Sequence, residues 1–137
     1  MVKVVANGIT WIVALFYGYG ASVHVMNILS LGGFNWLNAP RKWQVLDVVY
    51  LVLDLIVAVG FFVRWKVSYA AFYLAAVSQV ILYTYFRAWI LEVPEAFAVS
   101  PEHQSYLTAL VVFHGVTLAL ITTALWGTHG DQGQAGT

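Results

Sequence analysis

Apolar residues in this chain are gathered into four long runs, each carrying a few polar residues at helical spacing. The runs cover residues 9–31, 44–63, 67–91 and 101–126. Each has roughly the 20 residues an α-helix needs to cross ~30 Å of hydrocarbon. The pattern predicts an all-α integral membrane protein, a four-helix bundle running up-down-up-down. At the start of the fourth run Ser100 is a suitable N-cap, Pro101 fits the first helical position and Glu102 complements the helix dipole. The short link Arg64-Trp65-Lys66 makes the second and third helices antiparallel neighbours. Connections 32–42 and 92–100 are expected to lie in the interface, the second with room for a short helix. Residues 127–137 are small and polar and are expected to form a disordered tail. No internal repeat relates the two halves.

Composition agrees with this reading and narrows it. Of 137 residues, 61% are hydrophobic and 9% charged, against about 25% charged in a soluble domain. The net charge is zero, which gives no support to a nucleic-acid partner. Absence of cysteine removes disulfides, thiolate metal sites and cysteine nucleophiles. The first run follows Lys3 but continues too far for a signal peptide, and is read as a retained helix.

Tryptophans mark both interfaces: Trp11, Trp65 and Trp126 at one set of helix ends, Trp36, Trp43 and Trp89 at the other. The side with the termini carries Lys3, Arg64 and Lys66. The opposite side carries Arg41 and Lys42 with Glu92, Glu95 and Glu102. The positive-inside rule places the termini in the cytoplasm.

Within the runs, polar residues fall in stripes. Tyr17, Gly20, His24 and Asn27 share a face of the first helix, and Asp47, Tyr50 and Asp54 a face of the second. Gln79, Tyr83 and Arg87 follow at intervals of four on the third, and His103 and His114 lie eleven apart on the fourth. Asp54 stands near the centre of the apolar stretch 45–60. A carboxylate at that depth costs roughly 2.5–3.5 kcal/mol on insertion scales. Counted from the outer ends, His24 and His114 both fall about 10 Å deep and Asp54 about 15 Å. The inner half is apolar apart from Thr10, Thr122 and Thr123. These faces turned inward make an outward-facing polar pocket of His24, Asp54, Tyr83, Arg87 and His114, with Tyr50 and Gln79 beside them.

Several chemistries fit such a pocket. Histidine, tyrosine, aspartate and arginine are donors and acceptors for a quinone head group, ligand-binding through His24, Tyr50, Gln79, Tyr83 and Arg87, with protons carried by Asp54 or His114. Two facing histidines can ligate a haem iron, and two histidines with a carboxylate a transition metal. His24, His114 and His103 are the metal candidates, although neither H-x-x-x-H nor E-x-x-H spacing occurs. Asp54 and His114 can also form a catalytic acid–base pair, as in a lipid isomerase. A cation- or proton-coupled transporter would use Asp54 as its carboxylate. Against all of these stands the structural reading. Arg87 can snorkel to the interface, Asp47 can cap locally, and a buried polar stripe can latch helices or join a larger membrane complex or homo-oligomer.

The layout resembles the DoxX/MauE-like group of small four-helix membrane proteins. The likeness lies in Gly18 and Gly20, the loop 31–36, Asp54 ahead of a Gly60-ended apolar run, a short basic turn and an alanine-rich third helix. Asp54 stands where that group usually has glutamate, and His24 where it has a basic residue. The resemblance implies either a quinone-linked oxidoreductase subunit or an assembly factor.

Overall fold

The computed structural model describes the backbone of residues 2–133 and the side chains of residues 7–126. Among the described residues all regular structure is helical: α1 (Val2–Ile28), α2 (Arg41–Phe62), α3 (Val67–Thr84), α4 (Arg87–Leu91) and α5 (Pro101–Gly133), with 3₁₀ turns at Trp36–Asn38 and Glu95–Phe97. Four helical stretches, Asn7–Ile28, Arg41–Phe62, Val67–Thr84 and Pro101–Trp126, are long and apolar enough to cross a membrane. α1 packs on α2, α2 on α3, α3 on α5 and α5 on α1, closing a cycle of neighbours.

The helix ends explain these bounds. α1 stops where Ser30 takes a left-handed conformation (φ 59°). There Leu31 N–H donates to Met26 O at 2.8 Å and Ser30 N–H to Asn27 O at 2.8 Å, the paired bonds of a Schellman turn. α2 ends the same way at Arg64 (φ 59°), with Trp65 N–H on Gly60 O at 2.7 Å and Arg64 N–H on Phe61 O at 3.4 Å. α5 begins with His103 N–H donating to Ser100 Oγ at 3.3 Å, the N-cap bond. Its backbone stays helical to Gly133, past the end at Trp126 that the apolar pattern suggests. The remaining tail residues, 134–137, lie outside the described residues.

The third apolar run differs from a single helix over 67–91. Tyr85 and Phe86 both donate to Ile81 O, at 2.9 and 3.2 Å, so the backbone widens to an i−5 turn before α4 resumes. Thr84 Oγ1 also bonds back to Val80 O at 2.6 Å, a contact that bends helices. Beyond the break, α4 is held from α2. Lys42 Nζ donates to Trp89 O and Glu92 O, and Trp43 Nε1 to Ile90 O at 3.0 Å, supplying the carbonyls at the C-terminal end of α4.

The apolar core lies toward the α2–α3 turn. It contains Val13, Ala14, Tyr17, Val57, Ala58, Phe61, Phe72, Ala75, Ala76 and Ile121. Its alanines let the helices approach closely. Large apolar side chains such as Leu15, Val59, Leu74 and Val112 point outward and are exposed. Asp47, Asp54, Gln79 and His114 are buried inside. That inverted arrangement is costly in water and suits an apolar solvent.

Gly60 faces Ser68 where α2 and α3 approach closely. A Cβ there would stand 2.6 Å from Ser68 Cβ, whereas one at Gly115 would meet nothing within 4 Å. Gly60→Ala is therefore expected to destabilise the protein by about 1–3 kcal/mol. Gly115→Ala should be neutral or stabilising by up to about 1 kcal/mol. Denaturation of both variants in mild detergent checks the contrast.

Candidate functional site

The site is organised around Asp47, one and a half turns into α2. Its Oδ1 accepts from His24 Nδ1 at 2.8 Å and from Asn27 Nδ2 at 3.1 Å, and its Oδ2 accepts from Trp36 Nε1 at 3.0 Å. One buried carboxylate thus joins the C-terminal turns of α1, the connecting loop and α2. Gln44 fixes the same loop, its Nε2 donating to Trp36 O at 2.9 Å and Leu37 O at 3.1 Å. A carboxyl group that accepts from three donors on two different elements ties those elements firmly together away from water.

Two turns deeper on the same face of α2 lies Asp54. His24 bridges the two carboxylates: with Nδ1 on Asp47, its Nε2 stands 3.8 Å from Asp54 Oδ2. Those two atoms attract only when a proton is held between them. Gly20, one turn below His24 on α1, makes room for the Asp54 carboxyl, because a methyl group there would collide with Asp54 Oδ2. The Tyr50 ring stacks against His24 at 6.2 Å, and its hydroxyl donates to Ser78 Oγ on α3 at 3.1 Å.

On α5, His114 packs edge-to-face against Tyr17 at 5.8 Å and Phe16 at 5.9 Å. Its Nδ1 lies 2.7 Å from Leu110 O. A carbonyl only accepts, so Nδ1 carries the proton and Nε2 presents a lone pair. Nε2 has no partner among the described residues, nor have Tyr17 Oη and Asp54 Oδ1. The residues that own these atoms are 1%, 2% and 3% exposed respectively. Buried polar atoms are normally paired. Here three unpaired ones belong to residues lining a single cavity of about 780 Å³, along with His24, Asp47, Tyr50, Gln79 and Tyr83.

The cavity extends from Tyr17 and His114 up to the connections 32–34 and 96–100. At that end Phe34, Trp43 and Phe97 form an edge-to-face cluster with all three centroid separations at 6.2 Å. The structure gathers His24, Tyr50, Asp54, Gln79, Tyr83 and His114 around this space, as the stripes suggest, and leaves Arg87 out. Arg87 instead donates to Thr108 Oγ1 at 2.9 Å and Gln104 O at 2.7 Å on α5, because the break at Tyr85 and Phe86 takes it out of phase with Gln79 and Tyr83. His103 lies near the loop end of the cavity, exposed, its Nδ1 2.8 Å from Ser100 Oγ.

The two deep histidines are not level. His24 is four residues from the end of α1, roughly 6 Å, while His114 is thirteen from Pro101, roughly 20 Å. His114 stands beside Tyr17, two turns below His24. Among the described residues no three histidine, aspartate or glutamate side chains are grouped to hold a metal ion. Two participants go beyond the sequence-derived site: Asp47 as the organising carboxylate, and Tyr17 at its floor. Both lie on the polar stripes, which was the signal available for them. Compared with protein families, curated proteins and solved structures, the chain matches none.

The two aspartates are expected to behave oppositely. Asp47→Ala strands three donors and should cost about 2–4 kcal/mol. Asp54→Asn, which keeps the shape and breaks no hydrogen bond, should cost less than about 1 kcal/mol. Unfolding of the two variants in the same detergent measures the difference.

Proposed function

We propose that this is a multi-pass membrane protein, its four spans running up-down-up-down, that binds the head group of a quinone-class redox carrier as a redox-linked subunit. The observation that carries this reading is the set of three unpartnered buried atoms, Tyr17 Oη, Asp54 Oδ1 and His114 Nε2, belonging to residues of one cavity. Their chemistry suits a quinol and its quinone. A quinol brings two hydroxyl donors, which His114 Nε2 and Asp54 Oδ1 accept, while the Tyr17 hydroxyl donates to a ring oxygen of either form. Oxidation of the quinol releases two protons and two electrons. The protons fall to His114 and Asp54 as general bases, and the electrons to a partner redox protein that this chain serves as a subunit.

The head-group reading fits the geometry better than ligation of a haem by two histidines. His24 is held by Asp47 and faces Asp54, while His114 lies two turns deeper beside Tyr17. Placing the termini in the cytoplasm turns the cavity toward the outer face. Lys3, Arg64 and Lys66 on the terminal side favour that orientation. The likeness to DoxX/MauE-like proteins agrees with a quinone-linked role, with Asp54 in place of the glutamate.

Native mass spectrometry of protein released from gently solubilised membranes tests the proposal. The expected result is a mass excess matching a quinone-class molecule, absent from His114→Ala and much reduced in Asp54→Asn, with both variants folded. A haem or metal mass would replace the quinone assignment. A ligand-free chain within a larger hetero-complex would replace it with an accessory role.

A further inference from the structure

We propose that the ligand enters the cavity sideways from the bilayer, through a cleft between α1 and α5, and that it is a long-chain amphiphile whose apolar tail lies in that cleft. This rests on the head-group reading above and adds the ligand's class and route.

The argument begins with the seams between helices. α1 and α2 are joined by His24 and Asn27 on Asp47. α2 and α3 are joined by Tyr50 on Ser78, and α2 and α4 by Lys42 and Trp43 on the backbone of α4. α3 and α5 are joined by Tyr73 and Thr122 at 2.7 Å, and α4 and α5 by Arg87 on Thr108 and Gln104. The α1–α5 seam is different. Its aromatic contacts are Phe16 on Phe113, stacked at 3.6 Å, and Phe16 and Tyr17 on His114. From there to the loop end, residues 17–28 and 101–112, the hydrogen bonds among the described residues include none that joins the two helices.

That unlatched stretch is also where the cavity reaches the surface. Tyr19, Val23 and Met26 line it on α1, at spacings of four and three that set one row, and the adjacent Tyr106 and Leu107 line it on α5 with Leu110 a turn further on. Tyr19, Met26 and Tyr106 are 59%, 48% and 48% exposed while lining the same space as Asp54 and His114. All six lie within stretches long and apolar enough to cross a membrane. The Phe16–Phe113 stack forms the sill beneath them. The cleft is therefore apolar and aromatic on both walls, opens at membrane depth, and ends inward at unpartnered polar atoms. The molecule that matches both ends has a hydrogen-bonding head and a hydrocarbon chain. Toward the loops, the Phe34–Trp43–Phe97 cluster walls the cavity on the aqueous side.

Binding to the purified full chain in lipid nanodiscs tests the cleft. Two probes are compared: a quinol with a decyl tail and the same head without a tail. Val23→Trp and Leu107→Trp place an indole in the cleft, at side chains that make no hydrogen bond to Tyr17, Asp54 or His114. The expected result is that each variant loses at least about tenfold in affinity for the tailed probe and stays within about twofold for the tailless one. Partitioning into lipid is the same for variant and wild type, so the ratio isolates the cleft. A diazirine on the tail should also label α1 and α5 peptides containing Met26 and Tyr106 in the wild type, a readout that does not depend on either variant folding. Equal loss for both probes, no loss for either, or labelling confined to 32–34 and 96–100 would overturn the lateral route while leaving the head-group site standing. If neither probe binds the wild type, the head-group reading falls and the cleft assignment with it.

Discussion

The Asp47 carboxylate is the interaction on which the rest of this structure depends. In hydrocarbon a polar group cannot turn to water, so each must find a partner within the protein. Asp47 meets that demand for four groups at once: the His24 imidazole, the Asn27 amide, the Trp36 indole and itself. In doing so it sets the rotation of α1 about its own axis. With Nδ1 fixed on Asp47, His24 presents Nε2 to Asp54. Gly20, one turn below, is brought against the same carboxyl. The geometry around Asp54 is thus inherited from a contact two turns away.

Asp47 and Asp54 show how one residue type serves two ends. Asp47 is saturated, and its surroundings are what a structural carboxylate requires. Asp54 is also buried, but its Oδ1, like His114 Nε2 and Tyr17 Oη, has no partner among the described residues. Deficits of this kind raise the energy of the empty state, and a ligand that supplies the missing partners recovers it. The helix seams divide along similar lines. Hydrogen bonds tie the other seams, whereas among the described residues none joins 17–28 of α1 to 101–112 of α5, where the cavity approaches the surface.

Much of this was legible in the sequence, for identifiable reasons. Length and hydropathy locate the four apolar stretches because spanning hydrocarbon demands them. The stripes on the first two helices place Tyr17, Gly20, His24, Asp47, Tyr50 and Asp54 on facing sides because α1 and α2 are unbroken. The same logic misplaces Arg87, since an i, i+4, i+8 stripe assumes a continuous helix, and the wide turn at Tyr85 and Phe86 resets the phase. Equal depth for His24 and His114 also fails. It assumes that both helices meet the interface at the start of their apolar residues, whereas α1 ends at Ile28 and α5 begins at Pro101. The rank of Asp47 over Asp54 as organiser was beyond reach, because it depends on Trp36, a loop residue whose indole turns in to donate to Asp47 Oδ2.

The positions of Asp47's donors carry a consequence for how the chain is made. Residues 24, 27 and 36 all precede 47, and His24 also precedes Asp54. During synthesis from the N-terminus, the helix bearing both carboxylates emerges only after every donor to Asp47 has already left the ribosome. The helix that carries both aspartates thus arrives with the donors to Asp47 waiting. The floor of the cavity, where His114 packs on Tyr17, is completed only when the final helix docks.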